Sequence, residues 1–322
     1  MPPGATHHPP ASTEVDAASR SSARSPREES PSGAARMRLR AYYELTKPGI
    51  AGFVMVTAGA AFVVASRGDA PFLAVLHTLL GTLLATAGAL ALNQYVERDV
   101  DAIMKRTRGR PVPSGRLRPV EALAFGVFLV AAGVGHLWFW IGWMPAVLTL
   151  LSAVVYIGVY TPLKSRSYTA TLAGAFPGSA PALIGWSAAT GDLSLPAMVL
   201  FGTMFVWQLP HVVALAWLLK DDYALAGFHL IPSNLPDGGD AWTGRQLVLY
   251  SAVLLPMSLA LTPLGITGWI YFAGALVLGG IMLWWSVVTL FGMTRDRVRR
   301  VFFGSLVYHP LLLTVMLLDI VR

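Results

Sequence analysis

The chain has 322 residues, of which 55% are hydrophobic and only 13% charged, with mean hydropathy +0.58. That is about half the charge of an ordinary soluble domain, so lipid is the expected solvent. A net charge of +7 and a pI near 9.9 would admit nucleic-acid binding, but the placement of the cations explains the charge without it; the lack of cysteine excludes disulfides, thiolate metal sites and cysteine nucleophiles.

Residues 1–36 are rich in Pro, Ser, Ala, Arg and Glu and have almost no large apolar side chains. Such a segment buries too little surface to offset its ordering entropy and is expected to be a disordered tail. It lacks the apolar core of a cleavable signal peptide, and Glu14, Asp16, Glu28 and Glu29 set it apart from organellar transit peptides. Residues 37–322 read as a single transmembrane domain. Apolar runs near the ~20 residues that cross a bilayer fall at 48–66, 71–96, 119–139, 143–161, 170–189, 195–219, 246–264, 268–291 and 301–320. The expected fold is therefore all-α: a polytopic membrane protein of nine transmembrane helices. If the spans alternate, every Lys and Arg except Arg67 and Arg322 lies on one side. The positive-inside rule makes that side, with the N-terminus, cytoplasmic. A bacterial inner membrane is the expected location.

The first polar constellation closes the second span. In Asn93-Gln-Tyr-Val-Glu97-Arg-Asp99-Val-Asp101, a continuing helix puts Asn93, Glu97 and Asp101 on one face at i, i+4 and i+8. Two carboxylates and an amide oxygen suit Mg²⁺, which takes one or two carboxylates plus phosphate oxygens and water. Asp99 points away. The plain alternative is an acidic helix end balanced by Arg98 and Lys105. It is disfavoured because like charges at i, i+4 repel and acids at a helix C-terminus oppose the macrodipole. The loop that follows carries Lys105, Arg106, Arg108, Arg110 and Arg116 among Pro and Gly. Cations beside a metal–carboxylate face suit a diphosphate.

Further along, Tyr156 and Tyr160 share a face and lead into Lys164 and Arg166; an interfacial aromatic belt is the alternative there. In the sixth span Trp207-Gln-Leu-Pro-His211 places an imidazole, an amide and a kink together, a pattern that suggests a cavity; for His211 alone a hydrogen-bonded packing residue is the alternative. It is followed by a second acidic patch, Lys220-Asp221-Asp222-Tyr223. His77, His136 and His309 lack carboxylate company and are expected to be satisfied packing residues.

The segment Asn93–Gly115, reading N-x-x-x-E-x-x-x-D and then M-K-R-T-R-G-R-P, resembles the first motif of the UbiA superfamily of intramembrane prenyltransferases, and in detail the members that farnesylate haem. Trp207–His211 with Asp222–Gly227, and Tyr160–Lys164 with Gly185-Trp186, are similar to other signatures of the family, across roughly residues 40–320. The resemblance implies a UbiA-like bundle whose active-site cavity opens toward the cytoplasmic side. It implies transfer of a farnesyl group from farnesyl diphosphate to a vinyl group of haem B, giving haem O and diphosphate for haem–copper oxidase biogenesis. It further implies that Asn93, Glu97 and Asp101 hold one Mg²⁺ and that Asp222, with Asp221 beside it, helps hold a second. Lys105, Arg106, Arg110, Lys164, Arg166 and Lys220, with Tyr156 and Tyr160, would bind substrate, and His211 stands where members acting on phenolic acids carry an aspartate. Other haem-biosynthesis or oxidase-assembly proteins are possible partners, besides the lipid bilayer. A prenyltransferase for a quinone precursor or chlorophyllide is the alternative within the family. A transporter is the alternative outside it, although its ionisable residues would belong near the bilayer midplane.

Overall fold

The computed structural model describes residues 31–232 and 234–321; most of the expected tail, residues 1–30, lies outside them. Among the described residues all regular structure is helical, apart from one isolated bridge between Thr267 and Ile320. Helix α1 (Pro31–Leu45) begins inside the stretch expected to be disordered. It is followed by α2 (Pro48–Ala65), α3 (Phe72–Val96), the short α4 (Arg98–Ile103), α5 (Pro119–Trp140), α6 (Trp143–Leu163), α7 (Ala170–Thr190), α8 (Leu195–Leu218), the short α9 (Lys220–Leu225), α10 (Asp240–Leu259), α11 (Trp269–Leu290) and α12 (Arg295–Leu318). Pro48 and Pro119 open their helices at a position where the missing N–H costs nothing.

Nine of these helices are long, but only seven combine the length and hydropathy of a membrane span. The two that fall short are α7 and α10, so the expected count of nine spans is not reproduced by apolarity alone. The reason is visible in their surroundings. Helix α7 is built from Ala, Gly, Ser, Thr and Pro, and most of its length is buried against neighbouring helices rather than presented to lipid. Helix α10 starts six residues earlier than the apolar run indicated, with Asp240 and Arg245 in its opening turns. Similarly, α12 starts at Arg295 and not at 301, since its first turn is basic and stands outside the apolar run.

Helix packing depends on small residues. On the α3–α5 contact a Cβ added to Gly88 would lie 2.6 Å from Gly126 O, and one added to Gly133 would lie 2.5 Å from Gly81 O. Backbones this close are the means by which helices associate in lipid, where no hydrophobic force drives them together. Helix α2 packs on α3, α7 and α12, while α8 packs on α7, α10 and α12. Between them a cavity of about 580 Å³ is lined from α2, α3, α6, α7, α8 and α12. The last turn of α3, the start of α2, the end of α6 and the end of α8 meet at one end of the bundle, as the contacts below require. Arg67 is at the other end, where its guanidinium donates to the carbonyls of Gly265 and Val321.

Candidate active site

Helix α3 does not continue through its acidic face. It ends at Val96; Glu97 caps it with φ −86° and ψ 4°, and the chain restarts as α4. The expected stacking survives the break because two backbone bonds of i→i−4 type bridge it, Glu97 N to Asn93 O at 2.9 Å and Asp101 N to Glu97 O at 2.7 Å. Asn93, Glu97 and Asp101 are buried, with 1%, 6% and 0% exposure. Asp99 is turned out, with an 82% exposed side chain 3.5 Å from Arg98.

Each of the three oxygen-bearing groups holds one cation. Lys47 Nζ donates to Asn93 Oδ1 at 3.2 Å. Lys164 Nζ donates to Glu97 Oε1 at 2.7 Å. One Arg110 nitrogen reaches both Asp101 oxygens, at 2.7 and 2.6 Å. Thr161 Oγ1 accepts from Asn93 Nδ2 at 3.2 Å, which turns the amide oxygen toward Lys47. Removing one partner from such a buried pair leaves an uncompensated charge and costs roughly 3–5 kcal/mol. Burial, with the charges of Arg110 and Lys164 beside it, brings the Lys47 ammonium down to about 7. Burial also works against the charge on Lys164, but Tyr160 and Glu97 outweigh it and hold its pKa above the usual lysine range.

Lys47 was legible only as a topological charge. Its signal was a misfit: a cation at the N-terminus of α2 opposes the macrodipole, and it sits there in the left-handed region at φ 45°. Thr161 gave no signal. Tyr223 and Phe228 were likewise not singled out as site residues. The Lys164 ammonium lies 4.5 Å over the Tyr160 ring and 5.6 Å from that of Phe228. His229 N donates to Lys164 O at 2.8 Å, tying the segment after α9 to the end of α6. Burial raises the Tyr223 phenol above its usual range, and the phenol feels the charges of Arg106, Lys164 and Glu97.

The other expected residues are distributed unevenly. Tyr156 and Tyr160 stack at 5.5 Å within a π-helical stretch, Val155–Tyr160, and both line the cavity; such π-bulges recur at functional sites. Lys105, Arg106 and Arg166 are exposed at the same end of the bundle. Lys220 turns aside, 3.8 Å from Asp240 and 4.9 Å over the Trp217 ring. Asp222 is half-buried and Asp221 exposed, and among the described residues no hydrogen bond or ion pair joins either to Asn93, Glu97 or Asp101. Nor do three or more His, Asp or Glu side chains converge anywhere among them. The donor set at α3 is therefore two carboxylates and an amide oxygen. That fits Mg²⁺ in the mode where phosphate and water complete the shell.

At the far side of the cavity His211 Nδ1 lies 2.9 Å from Ser305 Oγ, and Trp207 Nε1 donates to Ser305 O at 2.7 Å. Gln208 Nε2 donates to the carbonyls of Ala175 and Met204. The three histidines expected to be packing residues behave differently from one another. His77 and His136 satisfy each other at 3.1 Å beside the stacked Trp140 ring. His309 is only half satisfied: Nε2 meets Thr57 Oγ1 at 2.9 Å, whereas Nδ1 is buried without a partner.

Residues 54–307, the helices that build the cavity, match the UbiA prenyltransferase family. The chain belongs to that family. Among its UbiA relatives, a protoheme IX farnesyltransferase of Solibacter usitatus (strain Ellin6076) is 40% identical over 290 residues, covering 87% of this chain and 99% of that protein. A solved structure concerned with digeranylgeranylglyceryl phosphate synthase superimposes with a TM-score of 0.73 at 15% identity, covering 88% of this chain and 98% of the other. A UbiA homolog from Archaeoglobus fulgidus bound to DMAPP and Mg²⁺ gives 0.58 at 14% identity, covering 85% and 98%. At these identities the two structures establish the UbiA fold and no more.

Proposed function

We propose that this membrane protein transfers a farnesyl group from farnesyl diphosphate to a vinyl group of haem B, with diphosphate as leaving group and haem O as product. The reading is carried by one juxtaposition: a buried face of two carboxylates and an amide, ringed by Lys47, Lys164 and Arg110, at the end of an apolar cavity. The near-complete match to a protein named for this reaction supports the choice of substrates.

The residues divide the work. Lys164 and Arg110 neutralise Glu97 and Asp101, with Lys47 on the Asn93 amide; the diphosphate draws the three onto its oxygens, joined by the exposed Lys105, Arg106 and Arg166. Mg²⁺ held by Asn93, Glu97 and Asp101 would screen the negative charge that grows on the diphosphate as the allylic C–O bond breaks. Tyr156 and Tyr160 form the boundary between this charged end and the apolar cavity, where the farnesyl chain is shielded from stray water. The C–O electron pair leaves with the diphosphate, the vinyl π pair closes the new C–C bond, and water adds to the resulting cation with loss of a proton. His211, Trp207 and Gln208 lie at the acceptor side. The charge asymmetry of the chain supports a cytoplasmic diphosphate end.

The test is an assay of purified protein in detergent with haem B, farnesyl diphosphate and Mg²⁺, following haem O by mass. Metal-dependent haem O that EDTA and Asp101→Ala both abolish is the expected result. If farnesyl diphosphate binds but haem is not farnesylated, the acceptor is a different ring, such as a quinone precursor or chlorophyllide.

A further inference from the structure

Two hydroxyls beside the cavity have already committed their hydrogens. Ser305 Oγ donates to Phe302 O at 2.6 Å, and Thr57 Oγ1 donates to Phe53 O at 2.9 Å. A hydroxyl has one hydrogen and two lone pairs, so with its hydrogen on the backbone carbonyl each accepts from the imidazole it meets. In that arrangement His211 Nδ1 carries the ring's hydrogen and donates it to Ser305 Oγ. In a neutral imidazole the other nitrogen, Nε2, is then a bare lone pair.

That lone pair has no protein partner among the described residues, while the His211 ring lines the cavity. No Asp or Glu oxygen among them lies within salt-bridge distance of the ring to stabilise an imidazolium. The ring also stacks on aromatic neighbours, 4.6 Å from Phe302 and 6.2 Å from Trp207 between centroids. His309 has the mirror arrangement, with Nε2–H on Thr57 and Nδ1 bare, but at 1% exposure behind Trp207 it cannot meet a ligand. A rigid, directed lone pair facing an apolar cavity is costly unless a ligand brings an electrophile to it.

We propose that His211 Nε2 is an axial ligand to the iron of the porphyrin acceptor, and that Ser305 is the positioning residue that keeps this nitrogen bare and aimed. The proposal rests on the reading of the acceptor as haem. Neutral imidazole is a standard axial ligand for haem iron, and a hydrogen bond on the ring's other nitrogen is the usual device for setting its tautomer and basicity.

The experiment titrates the full chain in detergent with ferric haem B and, in parallel, with metal-free protoporphyrin IX, recording the Soret band and the electron paramagnetic resonance of the iron. The wild type should show a histidine-ligated iron. His211→Ala should lose that signature and weaken ferric haem binding roughly tenfold or more, with protoporphyrin IX affinity nearly unchanged, and added imidazole should restore the signature. Ser305→Ala should weaken ferric haem binding about tenfold; Ser305→Thr, which keeps the hydroxyl, should rescue it. An iron signature indifferent to His211→Ala overturns the proposal while leaving haem as the acceptor. Equal loss of both porphyrins in that variant overturns it in favour of a packing role. A wild type that binds neither porphyrin overturns the acceptor reading and the ligand with it.

Discussion

Lys164 Nζ lies 2.7 Å from Glu97 Oε1, and both side chains are largely withdrawn from water, at 12% and 7% exposure. With Arg110 on Asp101 and Lys47 on Asn93, this pair makes the site electrically self-sufficient. Without these cations the two buried carboxylates would repel one another; under the proposed function the same cations are at hand for the diphosphate oxygens.

Chelation should therefore stop turnover without unfolding the protein. In EDTA we expect haem O formation to fall to background and to return on adding Mg²⁺. The thermal midpoint should move little, because the internal cations, and not the metal, balance Glu97 and Asp101. Thermal denaturation in detergent with and without EDTA checks this; a large drop on chelation would show that the metal is structural.

Asp101→Ala removes a fully buried carboxylate and leaves the Arg110 guanidinium uncompensated. We expect activity to disappear and stability to fall by roughly 3–5 kcal/mol. Asp101→Ala combined with Arg110→Ala should recover much of the stability and none of the activity. A double variant as unstable as the single one would mean that Asp101 acts through packing and not through its charge.

Lys164→Met should be more severe than Lys164→Arg. The methionine removes the counter-charge to buried Glu97 and the proposed diphosphate donor together, so both folded yield and affinity for farnesyl diphosphate should fall. Arginine keeps the charge, and we expect it to raise KM for farnesyl diphosphate about tenfold, near 1.4 kcal/mol, with kcat less affected. Equal kinetics for the two variants would remove Lys164 from the diphosphate site.

Gly88→Leu tests the α3–α5 contact, which positions the acidic face at the end of α3. A Cβ there already meets Gly126 O at 2.6 Å, and overpacking of this kind typically costs about 1–3 kcal/mol or more. We expect loss of folded protein in detergent, measured by size exclusion, whereas Gly135→Leu on α5, with open space around its Cβ position, should be tolerated.

Much of the molecule was legible in the order of its residues. Long apolar runs named the solvent and placed the long helices. The spacing of Asn93, Glu97 and Asp101 survived even the unforeseen break at Glu97, because consecutive i→i−4 bonds carry local register across it. The run at 170–189 is a long helix, α7, whose small residues are buried against other helices, which is why it falls below the hydropathy of a span. The sequence misled at His309, expected to be satisfied, whose Nδ1 has no partner.

By itself the sequence determined the membrane class, the helical architecture and the shared face of Asn93, Glu97 and Asp101 at the end of α3. These depend on hydropathy and on periodicity within one helix, which neighbours in the chain enforce through backbone hydrogen bonds. Tertiary structure alone decided which cation meets which oxygen and which hydroxyl sets which imidazole. Lys47 is 46 residues from Asn93, Lys164 is 67 from Glu97, and Ser305 is 94 from His211. Such pairs are created when separate helices pack at a fixed rotation and depth, and that geometry is set by residues, such as the side-chain-free Gly88 and Gly126, that bear no chemical mark of the site they align.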